Sequence, residues 1–556
     1  MPARQTSRSL ITSNIKVYAK PTGNRCVKLC KYGEKRGSES RRGVRESYPE
    51  TPQTNLDLEA QQLALIQKQE DALRNQAYRS VYEQELPNMA PHDLGLTRKE
   101  PDTPQALLQS DSAFIVMYSE GFVSNQEGCA TSTSVCACKG ADIICSNARL
   151  STVPTFRSTV REYNRLFLDG NRISSIKKGD FANLVTGREL FIALNGSSTT
   201  ITFEPGGFSA LANVNVNLYL GDNPTDVNFG QALQGVNITE LTVNDAKVLD
   251  SGTMFTLGDT LEKFSVGIGR LSEWPEQLRF LRRLKYLMVS NEKLKTIPDT
   301  AFHGFEHSLR NLTFSDTSLL RFPDAVCHLT RLQALEMSHH RGSVHYSPVP
   351  YCQQPMSGVK NLTLHDVGLS RFPEIFHTFP GLLYVQVSGN SDLKFIADES
   401  LPQNTAVKTL NLAGNGFKQV PSSLRSLLTL LHLDLSNNEI STLERGDLDS
   451  LPHILSLRLA GNPIVYVYDL VFASASYLNR LDLSNTSLTN IPKAVTHLSS
   501  ATEILDLSNN NIECSCDLQW ILQWSGSVSI FGNCRFSTES FKQFISNKLT
   551  ECQNEI

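Results

Sequence analysis

Residues Leu430–Ile440 read LLHLDLSNNEI, a spacing that leaves few folds open. It fits L-x-x-L-x-L-x-x-N-x-L, and each position has a physical task. Leu433 and Leu435 alternate with His432 and Asp434, so a short strand sends leucines to one side and polar groups to the other. Asn438 falls where the chain turns out of the strand, and its amide can satisfy backbone groups that the turn leaves unpaired. Ile440 returns the chain to the apolar side. One such unit buries too little to stand alone and needs copies above and below it. With the second strand leucine as anchor, copies centre on Leu166, Leu190, Leu218, Leu241, Phe264, Leu287, Leu312, Leu335, Leu362, Val385, Leu410, Leu433, Leu457, Leu481 and Leu505. These fifteen units lie mostly 23 to 25 residues apart. A solenoid grows in one dimension, so the 556-residue length does not imply several globular domains.

The period and the template resemble the leucine-rich repeat. That resemblance implies an α/β solenoid, a leucine-rich repeat horseshoe with a parallel concave β-sheet and about fifteen repeats. The ends carry a second likeness. Cys129, Cys136, Cys138 and Cys145 precede IICSNARLSTVP, and NNNIECSCDLQWILQW runs off the last repeat toward Cys534 and Cys552. Both stretches resemble the cysteine-rich caps of extracellular leucine-rich repeat proteins, a superfamily that includes Slit-like proteins and Toll-like receptor ectodomains. The resemblance implies the pairs Cys129–Cys138, Cys136–Cys145, Cys514–Cys534 and Cys516–Cys552. Caps have a physical purpose, because the first and last repeats otherwise expose an apolar face and a strand edge. Leu518, Trp520, Ile521, Leu522 and Trp524 are expected to form a short sealing helix. Zinc is the competing use of the first four cysteines, but their spacing lacks a C-x-x-C pair. Cys327 and Cys352 lie on neighbouring repeats, where a bridge would pin the loop His339–Gln354. His339, His340 and His345 in that loop read as solvated residues, with metal binding as the alternative.

The chain divides into a basic tail at 1–55, an amphipathic helix at 56–86 and a linker at 87–128. The N-terminal cap then spans 129–160, the repeats 161–512 and the C-terminal cap 513–556. The formal net charge is -4, yet residues 1–45 hold twelve Lys/Arg against two Glu. The tail is thus basic and the solenoid acidic. No interleaved aromatics support nucleic-acid binding by the tail, and Cys26 and Cys30 read as free thiols. Twelve cysteines, grouped mainly at the two ends, point to an oxidising compartment. The location expected is extracellular or at the cell surface. No apolar run is long enough to span a membrane, Ala113–Tyr118 being the longest candidate. No signal peptide is recognisable, so the first 110 residues read as an extra segment or an incorrect gene start.

No catalytic, cofactor-binding or metal-binding set is expected. The sequence has no G-x-S-x-G elbow, no H-E-x-x-H and no phosphate loop, and Gly267-Ile-Gly269 lies inside a repeat. What the pattern offers is a long sheet of variable side chains, suited to binding a protein partner. The residue after each anchor faces the concave side. Phe167, Phe191 and Tyr219 are therefore expected in one column, with Arg165 and Glu189 alongside; cover by neighbouring side chains is the plain alternative. Toward the other end, Asn411, Asp434, Arg458, Asp482 and Asp506 form a row with His432 and Arg480 beside it. It reads as a solvated face, or as a dock for a basic partner. Sequons place glycans at Asn237, Asn311, Asn361 and Asn485, while Asn195 is expected to turn inward as a structural residue. Asn311 and Asn361 precede anchors, so sugars there would crowd mid-sheet and push binding toward its ends. The reading is extracellular protein recognition, in signalling, adhesion or guidance. The alternatives are a receptor ectodomain cut short and a structural matrix component.

Overall fold

A computed structural model describes residues 130–552, apart from 132–134, 197–199, 224, 321, 341–349, 351, 499, 525–527 and 538. The expectations for the tail, the helix at 56–86, the linker, Cys26, Cys30, Cys129 and His345 lie outside these residues.

The chain builds one parallel ladder. Asp142–Ile144 pairs antiparallel with Ala137–Lys139 and parallel with Tyr163–Phe167, and parallel pairing then passes from repeat to repeat as far as Ser529–Phe531. The sheet holds 18 strands. Along one line of register run Ile143, Leu166, Ile192, Leu218, Leu241, Phe264 and Leu287, and the line continues through Leu410, Leu433 and Leu457 to Leu505. Each of these side chains is at most 1% exposed. The fold is a leucine-rich repeat solenoid, with its core between the sheet and the returning segments.

One anchor differs from the expectation. Leu166 pairs with Ile192, not Leu190, and Ile192 pairs with Leu218. Leu190, Ile192 and Leu194 are all buried, so the alternation has the same facing after a slip of two residues. The strand Thr186–Ala193 has eight residues, and the register shifts between Tyr163 and Arg165. Asn195 therefore lies three residues past its anchor. It is half-buried rather than turned inward, and its Oδ1 accepts the backbone N–H of Asp222 at 2.9 Å.

The return segments follow from local sequence. Pro275, Pro323, Pro421 and Pro492 each stand immediately before a short 3-10 turn, at Glu276–Phe280, Asp324–His328, Ser422–Ser426 and Lys493–His497. Proline presets the backbone angle and has no N–H to leave unpaired at a helix start. The leucine that closes each turn, Leu281, Leu329, Leu427 or Leu498, is buried. In the C-terminal cap Leu518 and Ile521 are buried on the short segments Cys516–Leu518 and Ile521–Trp524, with Trp520 and Leu522 partly buried beside them. A longer helix, Phe541–Cys552, buries Phe541, Phe544 and Leu549 against the cap strand Ser529–Phe531 and the two short cap segments; the sequence reading did not place it. Among the described residues no helix is long and apolar enough to cross a membrane.

Candidate functional site

The disulfides Cys136–Cys145, Cys514–Cys534 and Cys516–Cys552 fix the two caps. Cys327–Cys352 joins neighbouring repeats at the foot of the loop that begins at His339. His339 and His365 meet edge to face at 5.3 Å, and His365 Nδ1 lies 2.9 Å from Ser388 Oγ. Among the described residues no group of three or more His, Cys, Asp or Glu is placed to hold a metal ion.

The corrected register rearranges the aromatic residues. Phe167 stands opposite Ala193, which stands opposite Tyr219; Phe191 stands opposite Arg165 and Asn217. The three rings therefore occupy two adjacent columns, not one. They still meet as a zigzag, with the Phe191 ring touching both Phe167 and Tyr219 from the neighbouring column. Ring centroids are 5.8 Å apart for Phe167–Phe191 and 6.5 Å for Phe191–Tyr219. All three rings are half-buried on the sheet face. Such pairs contribute about 0.5–1.5 kcal/mol beyond their buried area, so the rings hold one another in place.

Arg165 extends the zigzag. Its guanidinium carbon lies 5.8 Å from the Phe167 ring centre, and its Nε and Nη2 each donate to Asp142 at 2.7 Å. That two-point bond to the cap strand fixes the fork beside the ring. Above it opens a shallow concavity of about 500 Å³, bordered by Glu162, Arg188, Glu189, Phe191 and Asn217. Glu189 is exposed and sits in register with Asn215. Gly187 leaves the concavity open, since a Cβ there would stand 2.8 Å from Asn164 Oδ1. Aromatic planes, a fixed cation and a carboxylate at the rim suit contact with a protein side chain better than chemistry on a small molecule.

The acidic row at the other end is engaged internally. The side-chain Oδ1 of Asn411, Asp434, Asp482 and Asp506 each accepts the backbone N–H two residues on, from Ala413, Ser436, Ser484 and Ser508. Arg458 lies between Asp434, at 3.6 Å, and Asp482, at 3.7 Å. Asp482 and Arg480 are buried. Burial also holds the His432 imidazole below its ordinary pKa. These charges close strand ends, a role the sequence spacing could have disclosed, because each Asp or Asn precedes a small residue by two.

Comparison with known proteins agrees with the ladder. Residues 405–464 match the family described as Leucine rich repeat. Residues 28–76, outside the described part, match the family described as Centrosome and spindle pole-associated protein 1, C-terminal. Human vasorin is 33% identical over 150 residues, a match covering 26% of this chain and 21% of vasorin. Mouse Tsukushi is 27% identical over 263 residues, covering 41% of this chain and 72% of Tsukushi. Among solved structures, a chain of the Drosophila Toll–Spatzle complex superposes with a TM-score of 0.46 at 14% identity, covering 66% of this chain and 64% of that one. The repeat ladder and the cysteine-bridged ends give this chain a leucine-rich repeat fold, and in sequence it is similar to part of the leucine-rich repeat family, spanning about a fifth of vasorin.

Proposed function

We propose that the protein works outside the cell or on its surface, where it binds another protein through the concave face. The contact centres on Phe167, Phe191 and Tyr219, with Arg165 fixed beside them and Glu189 at the rim. The observation that carries this reading is the zigzag itself. Three large rings meet on a sheet face beside Arg165, Ala193 and Asn217, and each keeps part of its surface open. Half-buried aromatic area of this kind gains from being covered by a partner, and rigid rings lose little entropy when it is. The disulfides at both ends support the compartment, since such bonds persist where the surroundings are oxidising. No chemistry is assigned to the face; binding is by area and by a few anchors.

The test is affinity capture from intact cells and conditioned medium with wild-type protein and Phe191→Asp. The variant loses capture while its circular dichroism spectrum stays that of the wild type. Capture that survives Phe191→Asp and is lost in Arg458→Glu moves the site to the C-terminal end.

A further inference from the structure

Midway along the concave face five residues stand in one column: Tyr286, Asn311, Ala334, Asn361 and Tyr384. The column is symmetric about Ala334. Each asparagine has a tyrosine on its outer side and the alanine methyl group on its inner side. Strands lie about 4.8 Å apart, so the two asparagines are roughly 10 Å apart, with room above Ala334 for two bulky groups. Both asparagines begin N-x-T sequons, completed by Thr313 and Thr363.

The neighbouring column reads Met288, Thr313, Glu336, Thr363 and Gln386. Its groups fix the tyrosines. Tyr384 Oη donates to Gln386 Oε1 at 2.7 Å, and Gln386 Nε2 donates to Ser388 Oγ at 2.8 Å. The Tyr286 hydroxyl is within hydrogen-bonding reach of Thr313 and Ser265, and burial pushes its pKa up to about 12, so it stays a neutral phenol. Burial also raises the Glu336 carboxyl above its usual range. The floor thus combines hydroxyls, an amide and two fixed aromatic faces, and the cation next along these columns, Lys263 beside Tyr286, is paired with Glu240 at 3.4 Å. Apolar C–H faces of sugars pack on rings of this kind, and their hydroxyls pair with such groups.

We propose that Asn311 and Asn361 both carry N-linked glycans, and that the core sugars lie on this floor against Tyr286 and Tyr384. The assignment rests on the extracellular reading above. Attachment joins the asparagine Nδ2 to the anomeric carbon of a lipid-diphosphate-linked oligosaccharide supplied by the secretory route. The sugar–phosphate bond breaks, the lipid diphosphate leaves and the amide gives up one proton. The glycans then divide the concave face, and the aromatic zigzag lies wholly on the N-terminal side of the division. Asn237, exposed at the start of its strand, and Asn485, exposed in a left-handed turn at φ 52, have no such floor. They serve as internal controls.

The test exports the full chain behind a cleavable signal sequence and releases N-glycans with a peptide N-glycosidase in heavy-oxygen water, which marks each occupied asparagine. Marks at both Asn311 and Asn361 are expected. Marks at Asn237 or Asn485 with Asn311 and Asn361 bare overturn the assignment and leave the compartment standing. No mark anywhere overturns the assignment and removes support for the compartment as well. A second measurement follows release from the native protein. Tyr286→Ala is expected to hasten release at Asn311 alone, and Tyr384→Ala at Asn361 alone. Unchanged rates at both positions overturn the placement of the sugars against the rings.

Discussion

The repeats between Leu410 and Leu505 and the first repeats after the N-terminal cap share a template and differ in what their sheet face carries. In the C-terminal repeats the strands are three residues long, as in Thr409–Asn411, His432–Asp434 and Ser456–Arg458. Almost every polar group there serves the backbone. Asn438 Nδ2 donates to Leu435 O at 2.9 Å and to Leu412 O at 3.0 Å, while its Oδ1 accepts the N–H of Phe417. Asn415, Asn462 and Asn510 repeat the arrangement. In the first repeats the strands reach seven or eight residues and their register shifts. Asn171 still caps the backbone there, donating to Cys145 O and Leu168 O, but the sheet face also carries rings. Where the template is kept, the polar side chains are engaged by the fold. Where it decays, the face carries half-buried rings, which the proposed function assigns to a partner.

The largest expected effect probes the engaged half. Leu435 is fully buried, and Leu435→Ala removes its packing from both neighbouring repeats. A loss of about 2–5 kcal/mol in chemical denaturation is expected. Asn438→Ala comes next, at about 1–3 kcal/mol, because it strands the Phe417 N–H inside the stack and leaves the Leu412 and Leu435 carbonyls with one amide donor each, from Asn415 and Asn462. Phe191→Asp makes the opposite comparison, with little loss of stability and complete loss of capture. If Phe191→Asp unfolds the protein as readily as Leu435→Ala, the two halves do not differ in the way described.

Much of this was legible in the sequence. The period, the inward leucines and the asparagine at the turn are spaced by the backbone's own geometry, so a reader of the chain recovers them. The Leu190 anchor was misread for a physical reason. Alternation has period two, so ELFIAL satisfies the template in two registers, and only pairing with Leu166 decides between them. The aromatic zigzag depended on that choice, since it puts Phe191 in the column next to Phe167 and Tyr219. The helix Phe541–Cys552 carries a legible stripe, Phe541, Phe544, Ile545 and Leu549 at helical spacing, which lies beyond the repeat template and so was passed over. The symmetry about Ala334 joins five repeats and becomes visible only with the register known.

Acid gives a smaller, graded test. His432 has a lowered pKa through burial, as do His340 and His365. Above the ordinary histidine value of 6.5 all three are neutral in both states and the fold bears no cost. As pH falls below that value, the unfolded chain binds protons first, so stability declines until the lowered folded values are passed. Denaturation midpoints measured across this range should fall in the wild type and fall less steeply in His432→Gln. Equal slopes would place His432 in contact with water.

The smallest effect is the sharpest test of the comparison. Arg458 sits between two aspartates at the long end of ion-pair distance and is partly solvated. Asp482 keeps hydrogen bonds from the Ser484 N–H and Oγ when the guanidinium is removed. Arg458→Met is therefore expected to cost only about 0.2–1 kcal/mol, less at high salt, and to leave protein capture at its wild-type level. The same substitution in a docking site for an acidic or basic partner would change capture in proportion to its salt dependence. A variant that is stable yet loses capture would mean that the C-terminal face, although engaged by its own backbone, also presents charge to a partner.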